Sequence, residues 1–334
     1  MGGTILFTGA NSSLAIPAVR HLLTNYSDYT ALLTVRNPSE ADVNTKKLRD
    51  TISLFPNAKT SIRQLDLSDL SAVHDFSSTV AAEIVDGKLP PLASIVCNAY
   101  YWNLSGNAEL TKDGYDKTFQ VNHLAHAALV LRLLGQFGSE GGRIVLLGSD
   151  AHWPGKGSLE KYPPAIPIDL ELLVKPVQDK PTDNLGRGFE KYSNSKLAVI
   201  MWMYALNRHL ENDTTLSKIT AVAINPGNLS DSRALRTNTP QMLAYMSKFI
   251  ISPLRPLLRL KDPTMRTAAE AGIDVVDLAM NKASPGERGY FTLLKKDSSS
   301  PDSNDEEKQK ELWIKSAEWV KVTNDDTALK VALE

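Results

Sequence analysis

The chain has 334 residues, of which 42% are hydrophobic and 22% are charged, a composition typical of globular proteins with a large core. Its 37 basic and 38 acidic residues give a net charge of −1, so no basic excess indicates binding to nucleic acid or to an anionic membrane. Cys97 is the single cysteine, which excludes an internal disulfide and favours a reducing, cytoplasmic environment.

Neither a signal peptide nor a transmembrane segment is predicted. The apolar strand pattern begins at Thr4, which leaves no room for the charged and apolar regions of a signal peptide. The apolar run 197–206 has ten residues. A helix that spans a bilayer needs about 20 residues, so this run is too short.

Short apolar segments alternate with longer amphipathic segments through the first half of the chain. The pattern predicts strands at 4–8, 31–35, 61–67, 93–98 and 143–149, and helices at 13–25, 40–53, 70–85 and 115–135. The strands are almost entirely apolar, as expected where helices cover both faces of a sheet. We therefore predict an α/β fold with a doubly wound parallel sheet of the Rossmann type.

The second half continues this alternation with additional loops. We predict helices at 189–210, 240–250 and 264–283, and strands at 219–225 and 288–293. Residues 154–188 form a predicted insertion loop, and 295–310 a solvated linker before a C-terminal helix. Because the alternation never breaks, we predict one domain over 1–294 with a substrate lid at 228–262, followed by the linker and helix at 295–334.

The turn after the first strand, "TGANSSLA", has features of a dinucleotide-binding turn. A glycine at position 9 permits a tight turn that brings the amide groups of a helix N-terminus to a phosphate. Serine and alanine occupy the next two glycine positions, and the Ser13 Cβ crowds the diphosphate approach. Alone, the motif is equally consistent with a plain strand-to-helix turn. The predicted cofactor contacts here are Gly9, Asn11, Ser12, Ser13 and Leu14.

The ends of the next strands carry further candidate contacts. Arg36 follows the second strand, where an acidic residue would select NAD; a guanidinium suits a 2′-phosphate, so we predict NADP(H), the alternative being a solvated arginine. After the third strand, Asp66 would accept from the adenine amino group and Leu67 would pack on the ring. After the fourth, Asn98 would bridge strand ends beside Ala99.

The motifs "TGANSSLA", "LDLSD", "CNAY", "VNHLAH", "LLGSDAH", "YSNSK" and "NPGNLSD" together resemble the short-chain dehydrogenase/reductase family over about residues 1–235. Within the family, "VNHLAH", Ser149 followed by "DAH", "YSNSKLA" and a late "GYF…LW" are similar to the branch of retinol dehydrogenases and protochlorophyllide reductases. The resemblance implies a catalytic tetrad of Asn122, Ser149, Tyr192 and Lys196. In it, Ser149 orients a carbonyl and Asn122 holds a water that supplies protons to the lysine.

The spacing of the tyrosine and lysine supports this assignment independently. Residues four apart share one helix face, and of the ten tyrosines only Tyr192 has a lysine at that spacing. A free tyrosine has a pKa near ~10, and a nearby ammonium group favours the phenolate. We therefore expect Lys196 to lower the pKa of Tyr192, which would exchange a proton with the substrate while the cofactor transfers hydride. Lys196 would also hold the cofactor ribose.

The segment "NPGNLSDS" follows the strand at 219–225. The resemblance implies a sharp turn at Pro226 and Gly227 beneath the nicotinamide, with Leu229 against its ring. The family's threonine position, which binds the carboxamide, holds Asp231 here. Ser230 or Ser232 would replace it.

Three histidines, His123, His126 and His152, lie near the predicted site. Their spacing and the lack of acidic partners do not indicate a metal site. His152 would instead line the substrate entrance. The 43 positions from Ser149 to Tyr192 exceed the family's usual dozen or so, and the added loop would line the pocket with Trp153 and Tyr162.

Two apolar segments indicate possible partners. Residues 241–260 fit a mobile lid over an apolar substrate or an interfacial membrane contact, with two prolines expected to interrupt a continuous helix. The helix at 189–210 is apolar nearly all round, which indicates burial on more than one side and suggests a homodimer.

The sequence therefore predicts an NADP(H)-dependent oxidoreductase that interconverts a carbonyl and an alcohol on an apolar small molecule, such as a polyketide, terpenoid or retinoid. The alternative is a non-catalytic scaffold or NADPH sensor that binds a partner protein.

Overall fold

A computed structural model describes residues 2–177 and 183–329. In these ranges eight strands form one sheet in the order β10-β9-β6-β5-β4-β1-β2-β3, all parallel except β10. A further short parallel pair, β7 and β8, lies outside it. The strands are β1 (Thr4–Phe7), β2 (Thr30–Val35), β3 (Lys59–Gln64), β4 (Leu92–Cys97), β5 (Gly142–Leu147), β6 (Ile219–Asn225), β7 (Asn228–Leu229), β8 (Met265–Arg266), β9 (Gly289–Thr292) and β10 (Lys295–Lys296).

Helices cover both faces of the sheet. One core lies between the sheet and helices α3, α5, α7 and α11, and a second lies between the sheet and α1, α2 and α10. This confirms the predicted doubly wound α/β fold. The helices are α1 (Ala15–Asn25), α2 (Val43–Ile52), α3 (Leu70–Val85), α4 (Lys117–Phe119), α5 (Ala125–Leu133), α6 (Glu171–Val174), α7 (Asn184–Asn212), α8 (Gln241–Met246), α9 (Ser252–Lys261), α10 (Ala268–Ala279) and α11 (Glu306–Trp319).

Two helical stretches contain a π-helical turn that the sequence period does not reveal. Gln120–Leu124 joins α4 to α5, and Ser247–Ile251 joins α8 to α9. The prediction that two prolines interrupt the second stretch is wrong. Pro253 lies in the first turn of α9, just after the π-helical turn, and Pro256 lies inside α9, yet the helical stretch continues through both.

No helix within residues 2–177 and 183–329 has the length and apolar character needed to cross a membrane.

The segment 295–310 is not the solvated linker that its composition predicts. Lys295 and Lys296 form β10, which pairs antiparallel with β9. Ser300 and Ser303 are fully buried, and the Ser303 carbonyl accepts from Gln309 Nε2 at 2.6 Å. The Ser303 hydroxyl also donates to the Ser300 carbonyl at 2.6 Å, and a small polar side chain with such a bond can be buried, which composition alone does not reveal.

Helix α11 covers the second apolar face of α7. The ring of Trp313 stacks on Trp202 with 5.3 Å between centroids and on His209 with 4.6 Å. Trp202 and Trp313 are both almost completely buried. The apolar pattern that suggested a dimer partner on α7 is therefore explained by packing within the chain.

We predict that Trp313→Ala lowers the free energy of unfolding by about 3–5 kcal/mol, because it leaves a large cavity between α7 and α11. Urea denaturation followed by circular dichroism would measure this change. Leu54→Ala is the control, since Leu54 is 62% exposed, and it should change stability by less than about 0.5 kcal/mol. Equal stability of the two variants would show that α11 does not stabilise the fold.

Candidate active site

A continuous cleft of about 860 Å³ lies at the carboxyl ends of the central strands. Its volume is within the range of small-molecule sites, and this edge is where ligands bind in open α/β sheets. Every predicted cofactor contact lines it, as do three members of the predicted tetrad. The lining residues predicted from the sequence are Gly9, Asn11, Ser12, Ser13, Leu14, Arg36, Asp66, Leu67, Asn98, Ala99, Ser149, Tyr192, Lys196, Pro226, Gly227, Leu229 and Ser230.

The turn after β1 requires a glycine. Gly9 has a φ of +63°, and a Cβ there would lie 2.9 Å from the Ala99 Cβ. Asn98 Nδ2 donates to the carbonyls of Thr8 (2.9 Å) and Gly9 (3.1 Å) and to Ser12 Oγ (3.2 Å). Asn98 therefore bridges the ends of β1 and β4, in agreement with its predicted position, and fixes the turn that begins α1.

Arg233, which the sequence motifs did not single out, lies across this turn. Its Nε donates to Ser13 Oγ at 3.2 Å, its backbone amide donates to the same oxygen at 3.1 Å, and its Nη2 donates to the Asn11 carbonyl at 2.5 Å. Burial lowers the pKa of Arg233, and the nearby Asp42 carboxylate opposes that effect. The serine that departs from the glycine pattern thus has a specific partner 220 positions away.

Arg36, Asp66 and Leu67 form the other end of the cleft. Arg36 is exposed directly after β2 and lines the cleft. Asp66 Oδ1 accepts from the Ser68 amide at 2.9 Å and from its hydroxyl at 2.7 Å, which fixes the loop after β3. Leu67 is buried. The predicted strand at 61–67 ends earlier, at Gln64, so Asp66 lies in the loop rather than in the sheet.

Tyr192, Lys196 and Ser149 converge on the centre of the cleft. Lys196 Nζ donates to the carbonyl of Leu147, the last residue of β5, at 2.7 Å, and lies 5.5 Å from the centroid of the Tyr192 ring. Ser149 caps the short turn Asp150–His152, where its Oγ accepts from the Ala151 amide at 3.2 Å and donates to Asp150 Oδ1 at 3.3 Å. The helix that carries the tyrosine is thereby held against the strand that leads to the serine.

The pKa values of Tyr192 and Lys196 differ from the sequence prediction. Burial raises the pKa of Tyr192, the nearby Tyr100 raises it further, and the nearby Ser149 hydroxyl has the opposite effect. Burial also lowers the pKa of Lys196 to about 7. The expected lowering of the tyrosine pKa by the lysine is therefore wrong for this structure, because desolvation disfavours both charged forms.

Asn122 is the one tetrad residue that does not line the cleft. It lies in the π-helical turn before α5, where its Oδ1 accepts from the Tyr101 amide (2.7 Å) and its Nδ2 donates to the Tyr101 carbonyl (3.0 Å) and Ser195 Oγ (2.9 Å). Ser195 Oγ in turn donates to the Tyr192 carbonyl at 2.6 Å. Asn122 thus connects the loop after β4 to the helix of Tyr192; its predicted water contact stays a prediction.

The turn after β6 also requires a glycine. Gly227 has a φ of +87°, and a Cβ there would lie 2.4 Å from the Thr264 carbonyl oxygen. Leu229 lies in β7 and pairs with Arg266 of β8. Pro226, Gly227 and Leu229 all line the cleft.

Asp231 has a structural partner outside the cleft. Its Oδ1 accepts from the Ala268 amide at 2.8 Å, in the first turn of α10. Ser230 and Ser232 both line the cleft, but Ser230 is buried and its amide donates to the Arg266 carbonyl at 3.1 Å. Of the two serines predicted to replace the usual threonine, Ser232 is the one with a hydroxyl that also contacts Tyr100.

The histidines are buried in separate places. His152, predicted at the substrate entrance, instead accepts from the Ser300 amide at Nε2 (3.0 Å), so its Nδ1 donates to the Ser149 carbonyl (2.6 Å). His126 contacts Thr8 Oγ1 at 3.0 Å and His123 contacts Ser316 Oγ at 2.8 Å. Within the described ranges, no group of three or more His, Cys, Asp or Glu side chains is arranged to hold a metal ion.

The two aromatic residues that the sequence predicts at the cleft, from the insertion loop and just before it, lie elsewhere. Trp153 and Tyr162 are not among the lining residues. The Trp153 ring lies under Lys156 Nζ at 3.6 Å, and the Tyr162 ring lies 3.8 Å from the Arg187 guanidinium carbon. Both aromatic rings therefore serve as platforms for cations. The aromatic lining comes from Tyr100, Tyr101, Trp102 and Phe189 instead.

Models of two protein families match this sequence. The "short chain dehydrogenase" model matches residues 3–162, and the "AcuH dehydrogenase domain" model matches residues 233–329. "Short-chain dehydrogenase iccH" of Talaromyces variabilis is 29% identical over 365 residues, which covers 98% of each chain. "Dehydrogenase acuH" of Aspergillus aculeatus is 52% identical over 92 residues, 28% of this chain and 94% of that protein. "Retinol dehydrogenase 13" of Mus musculus is 26% identical over 96% of this chain and 84% of its own length.

Solved structures share the fold. A crystal structure of an uncharacterised protein from Mycobacterium paratuberculosis has a TM-score of 0.63 and 22% identity, covering 98% of this chain and 95% of its own. An NADPH-bound carbonyl reductase from chicken fatty liver has a TM-score of 0.58 and 17% identity, covering 89% and 98%. At these identities the similarity extends to the fold alone.

The burial of Lys196 predicts a pH-dependent stability. The pKa of Lys196 is about 7 in the folded chain against 10.5 for a free lysine. Between these values the unfolded chain binds more protons, so the contribution of Lys196 to the free energy of unfolding rises with pH. We predict that the wild type gains stability relative to Lys196→Met from about pH 6 to about pH 9 in urea denaturation.

The same substitution at exposed Lys47 controls for the loss of a surface charge. A gap between wild type and Lys196→Met that stays constant with pH, or closes in the other direction, would contradict the burial of a partly neutral lysine.

Proposed function

The chain belongs to the short-chain dehydrogenase/reductase family, and on that basis we propose that it is an NADP(H)-dependent oxidoreductase that interconverts a carbonyl and an alcohol. One observation carries this proposal: Tyr192, Lys196 and Ser149 face the same cleft as the Gly9 turn. A proton donor and a nucleotide-binding turn at one sheet edge are the two components that hydride transfer to a carbonyl needs.

The residues of the cleft fit a dinucleotide. The Gly9 turn, which a Cβ would fill, gives close access to the N-terminus of α1, and the Arg233 guanidinium adds a cation for the diphosphate. Arg36 would bind a 2′-phosphate, and Asp66 with Leu67 would hold the adenine. The nicotinamide, when bound, supplies or accepts the hydride.

The tyrosine is suited to proton donation. Because burial raises the pKa of Tyr192, its phenol is protonated at neutral pH and can protonate the oxygen of a carbonyl that is being reduced. The Ser149 hydroxyl, which lines the same cleft as the phenol, would hold that same oxygen. Lys196 keeps two N–H directions beyond its bond to Leu147, which suits a ribose hydroxyl, and Asn122 positions the helix behind them.

The other half of the cleft suits an apolar substrate. The rings of Trp102 and Phe189 lie 5.3 Å and 6.0 Å from that of Tyr192 between centroids. Aliphatic side chains from the segments above complete this half: Leu159, Leu235, Leu243, Met246, Ile251 and Leu258. We therefore propose a polyketide, terpenoid or retinoid-like carbonyl compound as the substrate class.

We predict that Tyr192→Phe lowers kcat by at least ~100-fold while the Kd for NADPH changes less than about threefold, because only the proton donor is lost. Turnover would be followed by NADPH absorbance with a panel of apolar ketones and aldehydes, and binding by NADPH fluorescence. Tyr100→Phe is the matched control, since it removes the hydroxyl of a neighbouring tyrosine in the same cleft. Retained turnover in Tyr192→Phe would refute the acid assignment; NADPH binding without turnover across the panel would favour the scaffold or sensor.

Substitution of two arginines should distinguish the preference for NADPH over NADH from the affinity for both cofactors. We predict that Arg36→Leu raises the Kd for NADPH at least ~10-fold with little effect on NADH, because it would bind only the 2′-phosphate. Arg233→Leu should raise both Kd values by a similar factor, since the diphosphate is common to both. Arg236→Leu, at an exposed neighbouring position, is the control. Equal weakening of NADPH and NADH by Arg36→Leu would disprove its selective role.

A further inference from the structure

The segment 241–261, which comprises α8, a π-helical turn and α9, exposes a row of large apolar side chains. Met242 is 70% exposed, Tyr245 63%, Phe249 60%, Leu257 65% and Leu260 82%. Met242, Tyr245 and Phe249 are spaced three and four residues apart, and Leu257 and Leu260 are three apart. They therefore follow one side of the helical segment. We call these five residues the outer stripe.

The opposite side of the same segment faces the cleft. Leu243, Met246, Ile251 and Leu258 all line it. The segment is therefore apolar on two sides, and closing the cleft requires only the inner one. A helix that served as a lid alone would gain nothing from the outer stripe, which costs solubility unless another apolar phase covers it.

The charged residues within the segment and just before it are all basic. From residue 236 to residue 261 the chain contains five basic residues and no acidic one. Arg259 pairs with Glu270 at 2.8 Å and Arg255 donates to Ser230 Oγ at 3.3 Å, and these contacts hold the segment on the body of the protein. Arg236, Lys248 and Lys261 are exposed.

This combination identifies the partner by its chemistry. A second copy of the chain, docked through the same face, would bring its own basic residues against these, and like charges repel. An anionic lipid surface offers both an apolar layer for the stripe and negative charge for the lysines. We propose that the segment 241–261 lies in the headgroup layer of an anionic membrane, with the outer stripe inserted. The proposal goes beyond the oxidoreductase function and does not depend on it.

The test is sedimentation of the full chain with vesicles of phosphatidylcholine, with and without phosphatidylserine. We expect at least ~10-fold stronger binding to vesicles with phosphatidylserine, and weaker binding as salt is added. The double variant Phe249→Ser/Leu257→Ser should lose this binding. Val43→Ser/Val85→Ser is the matched control, because these residues are 65% and 78% exposed on other helices, and it should bind like the wild type.

A second variant tests the charges without touching the stripe. Lys248→Gln/Lys261→Gln should reduce binding to phosphatidylserine vesicles at least ~5-fold and remove most of its salt dependence. Thermal unfolding and NADPH fluorescence check that each variant is folded, separately from turnover. Three results would overturn the proposal: no binding by the wild type, full binding by Phe249→Ser/Leu257→Ser, or a wild-type dimer in light scattering that this variant abolishes.

Discussion

A hydrogen bond of 2.7 Å from Lys196 to the Leu147 carbonyl fixes α7 on the end of β5. It holds Tyr192 one helical turn before the lysine and Ser149 two residues beyond the strand, so one contact sets the spacing of all three side chains. The contact is buried, and burial has a consequence for both ionisable groups. Desolvation lowers the pKa of the lysine and raises that of the tyrosine, which keeps the pair near neutrality.

The two parts of the chain that match different family models meet at this site. The first, residues 3–162, contributes the turn after β1 and the end of β5, and the second, residues 233–329, contributes Arg233, the segment over the cleft and α11. Arg233 binds the turn after β1 through Ser13, and Trp313 of α11 packs on the helix that carries Tyr192. The later part is thus integral to both halves of the cleft.

Local patterns predicted the fold and much of the cleft, and long-range contacts account for what they missed. Buried strands are apolar whatever their partners, and a four-residue spacing on a helix fixes the relation of Tyr192 to Lys196, so both could be predicted. Desolvation depends on which segments cover a residue, so the direction of the tyrosine pKa could not. Arg233 reaches Ser13 across 220 positions, and nothing in its neighbours distinguishes it from a surface arginine. His152 is polar, and the sequence predicts it at the substrate entrance. Hydrogen bonds on both of its ring nitrogens permit its burial instead.

The bond between His152 and the Ser300 amide also limits where the chain can be shortened. Removal of everything after residue 294, the predicted domain boundary, would take away that donor and uncover Trp202, which α11 otherwise shields. The imidazole would lose a hydrogen bond deep in the protein, and its other nitrogen holds the backbone at Ser149. The residues after 294 therefore support the backbone at Ser149 through His152, and a shortened chain would lose that support.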